Sequence, residues 1–332
     1  MKQVLAIAQK AQDRIFSSFG QNDRVKPPLP TGYDVLPEEF SSEEYLLINP
    51  DVAEAGMDAA THFRLHGAKE GRSFRLDMTI RHGLALTAAK DTPALEIGPF
   101  CNPILKGEGV FYFDIMDRES LIERATKIGY PNTYAPHIDY VSDVGDLRII
   151  DRTFVSVASA HCIEHHPDLI AHLKDVGSIL RPGGKYFLII PDKRYCFDAL
   201  FHESELADVL AAHLEKRRLH TARNYLDHYL LATHNDPVRH WAGDHKNADY
   251  DSNLSERARR ALDTWPSVEG SYFDVHAWRF TPESFKSLMQ ALKELNLIDL
   301  EVEAVNETPR NTFEFTAILR KPHNKASSSN SE

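Results

Sequence analysis

The chain has 332 residues, of which 42% are hydrophobic and 26% charged, an ordinary globular balance with length enough for a full α/β domain and a smaller unit. Its formal net charge of −11 argues against a nucleic-acid backbone as the main partner, because such partners call for a basic face. The three cysteines, Cys101, Cys162 and Cys196, have no CxxC spacing; this argues against a disulfide framework or a four-cysteine zinc site and fits a reducing, cytoplasmic setting.

Residues 1–16, MKQVLAIAQKAQDRIF, contain a short apolar run interrupted by Lys10, Asp13 and Arg14. No small-residue cleavage site follows, so the stretch reads as an amphipathic helix rather than a signal peptide. No apolar run approaches the ~20 residues that span a bilayer. Pro27, Pro28, Pro30 and Pro37 mark residues 21–41 as a linker. A compact helical unit follows, over about 41–77. Ser41 or Ser42 can cap a first helix, Asn49-Pro50-Asp51 starts a second that Gly56 stops, and Met57 to His66 make a third. In that third helix Ala60, Phe63 and Leu65 are expected to face inward, and Gly67 to end it.

From residue 93 the pattern changes to apolar runs alternating with helical stretches, the signature of a parallel α/β sheet. Strands are predicted at Ala94-Ile97, Val110-Asp114, Ile138-Val141, Phe154-Ala158 and Tyr186-Ile190, with a helix over Leu169-Leu180. Residues 193–275 are mostly helical, clearest at Leu206-Leu219 and Thr221-Ala232, and read as a lid inserted after the fifth strand. The alternation resumes with a helix at Pro282-Leu295 and strands at Leu300-Val305 and Phe313-Leu319. The division expected is 1–40 helix and linker, 41–77 helical module, 78–321 main domain and 322–332 disordered tail.

Chemistry concentrates at the strand ends, where open parallel sheets bind ligands. Ala94-Leu95-Glu96-Ile97-Gly98-Pro99 is a buried strand ending in an acid and a glycine turn. Gly98 allows close backbone approach by a ligand, and Glu96 can orient a ligand amine or the amides of its own loop. Asp114, followed by Ile115, closes the next strand 18 residues after Glu96, the offset at which ribose-binding acids occur. Asp143 can accept an adenine amino group while Val144 donates its backbone N–H. The fourth segment runs Ala158-Ser159-Ala160-His161-Cys162-Ile163-Glu164-His165-His166, and the fifth is Leu180-Arg181-Pro182-Gly183-Gly184-Lys185 leading into Ile190-Pro191-Asp192.

In this order and spacing, "SAHCIEHHPDL…ILRPGGKYFLIIPD" and the later "FTPESFKSLM" resemble the class I S-adenosylmethionine-dependent methyltransferases over about residues 90–320. EIGP together with "IPDKRY.FD" resembles a bacterial subset linked to surface polysaccharides. The resemblance implies a doubly wound, mostly parallel seven-stranded sheet with an antiparallel last strand. It also implies S-adenosyl-L-methionine as cofactor, held by Glu96, Ile97, Gly98, Pro99, Asp114, Ile115, Asp143, Val144 and Ala160, and a small-molecule or glycan acceptor. One departure is that Gly98 is followed by Pro99-Phe100-Cys101-Asn102-Pro103 where the family has further glycines. For the acceptor, His165 is the first candidate base, His161 the second, and Asp192 lies nearby; Arg194, Tyr195, Asp198, His240 and Trp241 of the lid are expected to shape specificity. The string over 45–72 resembles a helical module found beside bacterial glycosyltransferase and methyltransferase domains, and 41–77 reads as a docking element for a protein partner or as a packing element. The rival from another class is a non-catalytic, methyltransferase-like binding module.

His161-x-x-Glu164-His165 also fits the HxxEH pattern of inverted zinc peptidases. The motif sits directly after a buried strand inside a nucleotide-binding pattern, so no metal is expected there. His276-Ala277-Trp278, flanked by Phe273 and Phe280, reads as an ordered aromatic segment at the pocket edge or in the core.

Overall fold

The computed structural model describes residues 36–323, apart from 38, 71, 132 and 133. The helix expected over 1–16, most of the Pro-rich linker and nearly all of the tail lie outside the described residues. The helical unit comprises α1 (Ser42–Ile48), α2 (Pro50–Glu54), α3 (Ala59–His62), a π-helical turn at Phe63–Gly67, and α4 (Ala68–Glu70). Ser41 caps α1 by accepting the Glu44 N–H, and Asp58 caps α3 by accepting that of Thr61. Tyr45, Val52, Ala59, Phe63 and Ala68 form its own core.

The third helix differs from expectation in three respects: Ala59 rather than Ala60 is the buried alanine, Leu65 faces out, and Gly67 does not end the helix. Leu65, two positions after the buried Phe63 and so on the opposite face, is 58% exposed, and the helical path continues through a π turn past Gly67 to Glu70. Gly67 is instead a packing residue: a Cβ there would lie 2.1 Å from the Tyr45 hydroxyl oxygen.

The main domain carries one seven-stranded sheet in the order β3-β2-β1-β4-β5-β7-β6. Its strands are β1 (Ala94–Ile97), β2 (Val110–Asp114), β3 (Tyr140–Val141), β4 (Phe154–Ala160), β5 (Leu180–Pro191), β6 (Glu301–Val305) and β7 (Glu314–Arg320). The first five run parallel, and β7 pairs antiparallel with both β5 and β6. After β1 the chain winds to β2 and β3 on one side. It then crosses back to β4 and β5 on the other, so the winding reverses between β1 and β4. That reversal opens a crevice beyond the carboxyl ends of the strands.

Helices α5 (Arg81–Lys90), α6 (Arg118–Ile128), α7 (Leu169–Ile179) and α12 (Pro282–Glu294) flank the sheet. Asp117 caps α6, which ends at Gly129 with φ +71°, a left-handed residue that glycine adopts without strain. Asp168 caps α7, and Thr281 with Ser284 forms a reciprocal box at the start of α12. The main core is built from the apolar faces of β1, β4, β5 and β7 against Leu169, Leu173, Phe285, Met289 and their neighbours.

The predicted elements differ mainly at their ends. β5 begins at Leu180 rather than Tyr186, because Leu180 already pairs with Phe154. The next pair is Ser156 with Lys185, so Arg181–Gly184 bulges out of the ladder, with Gly183 at φ +81°. β3 starts at Tyr140, two residues later than predicted, and β4 runs on to Ala160. In the insertion, α8 (Leu206–Leu214) stops well before Leu219 because Lys216 adopts φ +52°. It is followed by α9 (Ala222–Leu231), α10 (Pro237–Trp241) and α11 (Leu254–Thr264). None of the described helices is long and apolar enough to cross a membrane.

Candidate active site

A cavity of about 1060 Å³ lies over the carboxyl ends of β1, β2 and β4. Gly98 turns the chain at the end of β1 with φ +70°. A Cβ there would stand 3.3 Å from Cys162 Sγ, so the absent side chain leaves the backbone open to the cavity while the next loop packs beneath it. Glu96, on the cavity wall, is 1% exposed. Its carboxylate accepts the backbone N–H groups of Ile104 (3.0 Å) and Leu105 (2.9 Å). It therefore ties down the Pro99–Pro103 segment that stands where glycines were expected. Of the two uses foreseen for Glu96, the structure makes the loop-holding one. Burial pushes its carboxyl up to about 7, against the pull of those two amides.

A carboxyl with a folded pKa of about 7 and an unfolded value near 4.5 binds its proton more tightly in the folded state. Its contribution to stability is complete below pH 4.5 and is lost as pH rises through 7. Glu96→Gln is expected to flatten the pH dependence of the urea-unfolding free energy between pH 4.5 and 8 by ~3 kcal/mol. An unchanged slope in the variant would show that another group carries it.

Asp114 closes β2, 6% exposed, with its carboxylate on the cavity wall. Oδ1 accepts the Ile115 N–H at 2.7 Å and Oδ2 accepts that of Phe100 at 3.3 Å. Each oxygen keeps a second lone pair for a ligand hydroxyl. Burial raises this carboxyl to about 6, and the loop amides oppose the rise. Across the mouth, Asp143 is exposed and Val144 is 70% exposed, on the tight turn after β3. Glu96, Ile97, Gly98, Pro99, Asp114, Ile115, Asp143, Val144, Ala160, His161 and His165 all line the same cavity.

Asp192 does not line it. This fully buried carboxylate is clasped by Arg194, whose Nη2 lies at 2.7 Å, and accepts the Thr308 hydroxyl at 2.6 Å. Its proposed place beside the reaction is corrected accordingly: it anchors the start of the insertion. Of the lid residues singled out from the sequence, Arg194, Tyr195, His240 and Trp241 are likewise engaged elsewhere, while Asp198 holds His276 on the cavity wall. Tyr195 stacks on Trp241 at 3.9 Å, His240 stacks on His234 at 4.1 Å, and Asp198 is buried against His276. The insertion reaches the cavity instead through Phe197, His213, Lys216–Leu219 and His228.

The floor of the cavity is a histidine–carboxylate array. His161 adopts φ +50°, a left-handed conformation that turns its ring back across the sheet, where Nε2 meets Glu314 Oε2 at 2.7 Å. Glu314 also takes both arms of Arg81, at 2.7 and 3.1 Å. Those partners overcome burial and hold its carboxyl far below the usual range. His165, on a 3-10 turn at Ile163–His165, puts Nδ1 2.9 Å from Asp274 Oδ1 and Nε2 3.7 Å from Glu164 Oε1. Burial alone would make this imidazole less basic. The Asp274 carboxylate outweighs it and raises His165 to about 9, so the free ring is imidazolium at neutral pH and a proton donor rather than a ready base. His166, stacked on His172 at 3.6 Å, is pushed the other way by burial, down to about 3.

Sequence reasoning did not single out Asp274, Glu314, Arg81 or Arg124; of the two places left open for His276, pocket edge or core, the buried ring takes up both, since it also lines the cavity. Arg124 reaches Asp274 at 3.0 Å from α6. Arg124 and Asp274 are 150 positions apart and Arg81 and Glu314 are 233 apart, and no local motif ties them together.

No family model matches this chain, and no curated protein matches it. Solved structures with a similar outline include the DhpI–SAH complex, 14% identical, covering 85% of this chain and 97% of that one at a TM-score of 0.35. The CcbJ methyltransferase from Streptomyces caelestis is 13% identical, with coverage of 73% and 93% and a TM-score of 0.35. Magnesium protoporphyrin IX methyltransferase (ChlM) from Synechocystis PCC 6803 with bound SAH is 8% identical, with coverage of 73% and 83% and a TM-score of 0.33. Likeness of this degree defines no family for the chain.

Proposed function

We propose that the protein is an S-adenosylmethionine-dependent methyltransferase acting on a hydroxyl or amine of a small polar acceptor, a sugar or glycan of the bacterial cell envelope, in the cytoplasm. The observation that carries the reading is Asp114: a buried carboxylate with free lone pairs, aimed into a large cavity at the winding reversal of the sheet. Its two oxygens are placed to accept the two hydroxyls of a ribose. The Gly98 turn admits the ligand's amino-acid end against backbone. Val144 N–H and the Asp143 carboxylate stand across the mouth, at the adenine position. The cofactor, when bound, supplies a methyl group on an electrophilic sulfonium.

The chain's own work is then alignment, which by itself contributes several kcal/mol to such a displacement. His161 and His165 face the cavity where an acceptor would meet the methyl group. His165, protonated, can hold an acceptor oxygen by donating to it; His161, pinned by Glu314, is the ring left to take a proton. Lys216 and Arg218 on the rim suit an acceptor bearing anionic groups. The separate core of the helical unit over 41–77 fits a docking role for it.

Calorimetry with S-adenosylhomocysteine is expected to give saturable binding at one site per chain. Labelled S-adenosylmethionine incubated with envelope fractions is expected to deliver label to a glycan. Absence of ligand binding would end the methyltransferase reading. Binding without transfer to any fraction would favour the non-catalytic module.

A further inference from the structure

We propose that Glu164, His165 and His276 form a binding site for one first-row divalent transition cation on the floor of the cavity. The three side chains offer one ligand atom each, all within 4.8 Å of one another. His165 Nε2 and His276 Nε2 approach the same oxygen, Glu164 Oε1, at 3.7 and 3.9 Å. Those separations are too long for hydrogen bonds. They are within a few tenths of an ångström of the ~3.0–3.5 Å that separates neighbouring donors around a metal with bonds of ~2.0–2.2 Å.

Two further observations point the same way. Glu164 is fully buried, and both its carboxylate oxygens lack any hydrogen-bond partner; an isolated buried carboxylate is strongly disfavoured unless paired or metal-bound. Each histidine also has its other ring nitrogen on a different carboxylate: His165 Nδ1 on Asp274 at 2.9 Å, and His276 Nδ1 on Asp198 at 2.5 Å. That outer arrangement directs a metal-binding nitrogen inward. His161 stands beside the three ligands, with Nε2 on Glu314 and Nδ1 3.8 Å from Glu164 Oε1, and keeps Nδ1 for a proton.

Two imidazoles and a carboxylate suit zinc, manganese, iron(II) or cobalt rather than calcium or magnesium. His161, His165 and His276 line the cavity, so the remaining coordination positions face it and accept an oxygen donor. In the methyltransferase reading, on which this last step alone rests, that donor is the acceptor's hydroxyl, and the cation, displacing the Nε2 proton of His165, takes over from it in holding the hydroxyl beside the methyl group.

The test uses the full chain, stripped with a chelator and dialysed. Titration with Co2+, followed by its visible absorption, and with Zn2+ and Mn2+ by calorimetry is expected to show one equivalent bound with a micromolar or lower Kd. Glu164→Gln and His276→Gln should each weaken binding at least tenfold, and Asp198→Asn, which touches no cation, ~10- to 100-fold. Circular dichroism selects the variants that fold, and any one folded variant decides the matter. A stripped protein that takes up no stoichiometric cation overturns the proposal. So does binding unchanged in the folded variants, which would assign the cation to other histidines such as the stacked His234 and His240. S-adenosylhomocysteine calorimetry on the same sample separates the two readings: cation without nucleoside removes the methyltransferase, and nucleoside without cation removes the metal site.

Discussion

Asp114→Ala is expected to weaken S-adenosylhomocysteine binding by at least ~100-fold, with the fold retained. The carboxylate would accept two ribose hydroxyls, and hydrogen bonds to a charged group contribute ~1.5–3 kcal/mol each, or about a factor of ten per 1.4 kcal/mol. The fold should survive because the groups deprived of an acceptor, the Phe100 and Ile115 amides, lie beside the cavity, where water can reach them. Burial has raised this carboxyl to about 6, and only the ionised form accepts both hydroxyls. Affinity should therefore be level above about pH 7 and fall roughly tenfold per pH unit once the pH is well below 6. Asp114→Asn should bind weakly at every pH and lose that slope. Calorimetry across pH 5–8 on the three proteins reads all of this. Equal affinity of the alanine variant and the parent would remove Asp114 from the ribose position and the adenosine cofactor with it.

Much of the sheet was legible because buried parallel strands are short apolar runs with turn residues at both ends. β1 and β2 fall where the sequence places them, at Ala94–Ile97 and Val110–Asp114. Where the ends moved, pairing overruled pattern: Leu180 joins β5 because Phe154 lies opposite it, although Arg181-Pro182-Gly183-Gly184 reads as a turn. Leu65 was misplaced because it stands two positions after the buried Phe63, ~200° further round a helix, and so falls on the opposite face. The cavity wall at Gly98 and Asp114 was legible for a similar reason, since strand ends can be located from strands. The histidine floor was not. His161, Glu164 and His165 follow a legible strand end, but the residues around them do not: Asp198 lies 34 positions beyond Glu164, and Asp274 and His276 lie 110 and 112 beyond it. Asp192 shows the converse error. Its position at a strand end suggested chemistry, while Arg194, two residues on, and Thr308 had already engaged it.

Glu314 is the residue whose loss should cost the fold most among those around the cavity. It opens β7 and binds Arg81 at the start of α5 and His161 after β4, so one carboxylate joins three elements at the cavity wall. Removing one partner of such a group leaves a cationic side chain without compensation in a poorly hydrated position. Buried pairs broken this way cost ~3–5 kcal/mol. Arg81 and Glu314 retain 24% and 17% side-chain exposure, so we expect ~2–4 kcal/mol for Glu314→Ala, the lower part of the scale. The sign of the pH effect follows from the depressed carboxyl. Its stabilisation is complete above the unfolded value near 4.5 and is lost as pH falls through the folded one. The deficit of the variant should therefore be full at pH 7 and much smaller at pH 3, when urea-unfolding free energies are compared. With His161 and Arg81 both on the cavity wall, the same variant should weaken acceptor binding more than nucleoside binding, because Asp114 and Gly98 do not depend on it. A deficit of equal size at pH 3 and pH 7 would show that Glu314 acts by packing and not by charge, and His161 would then be free to turn away from the position that makes it useful.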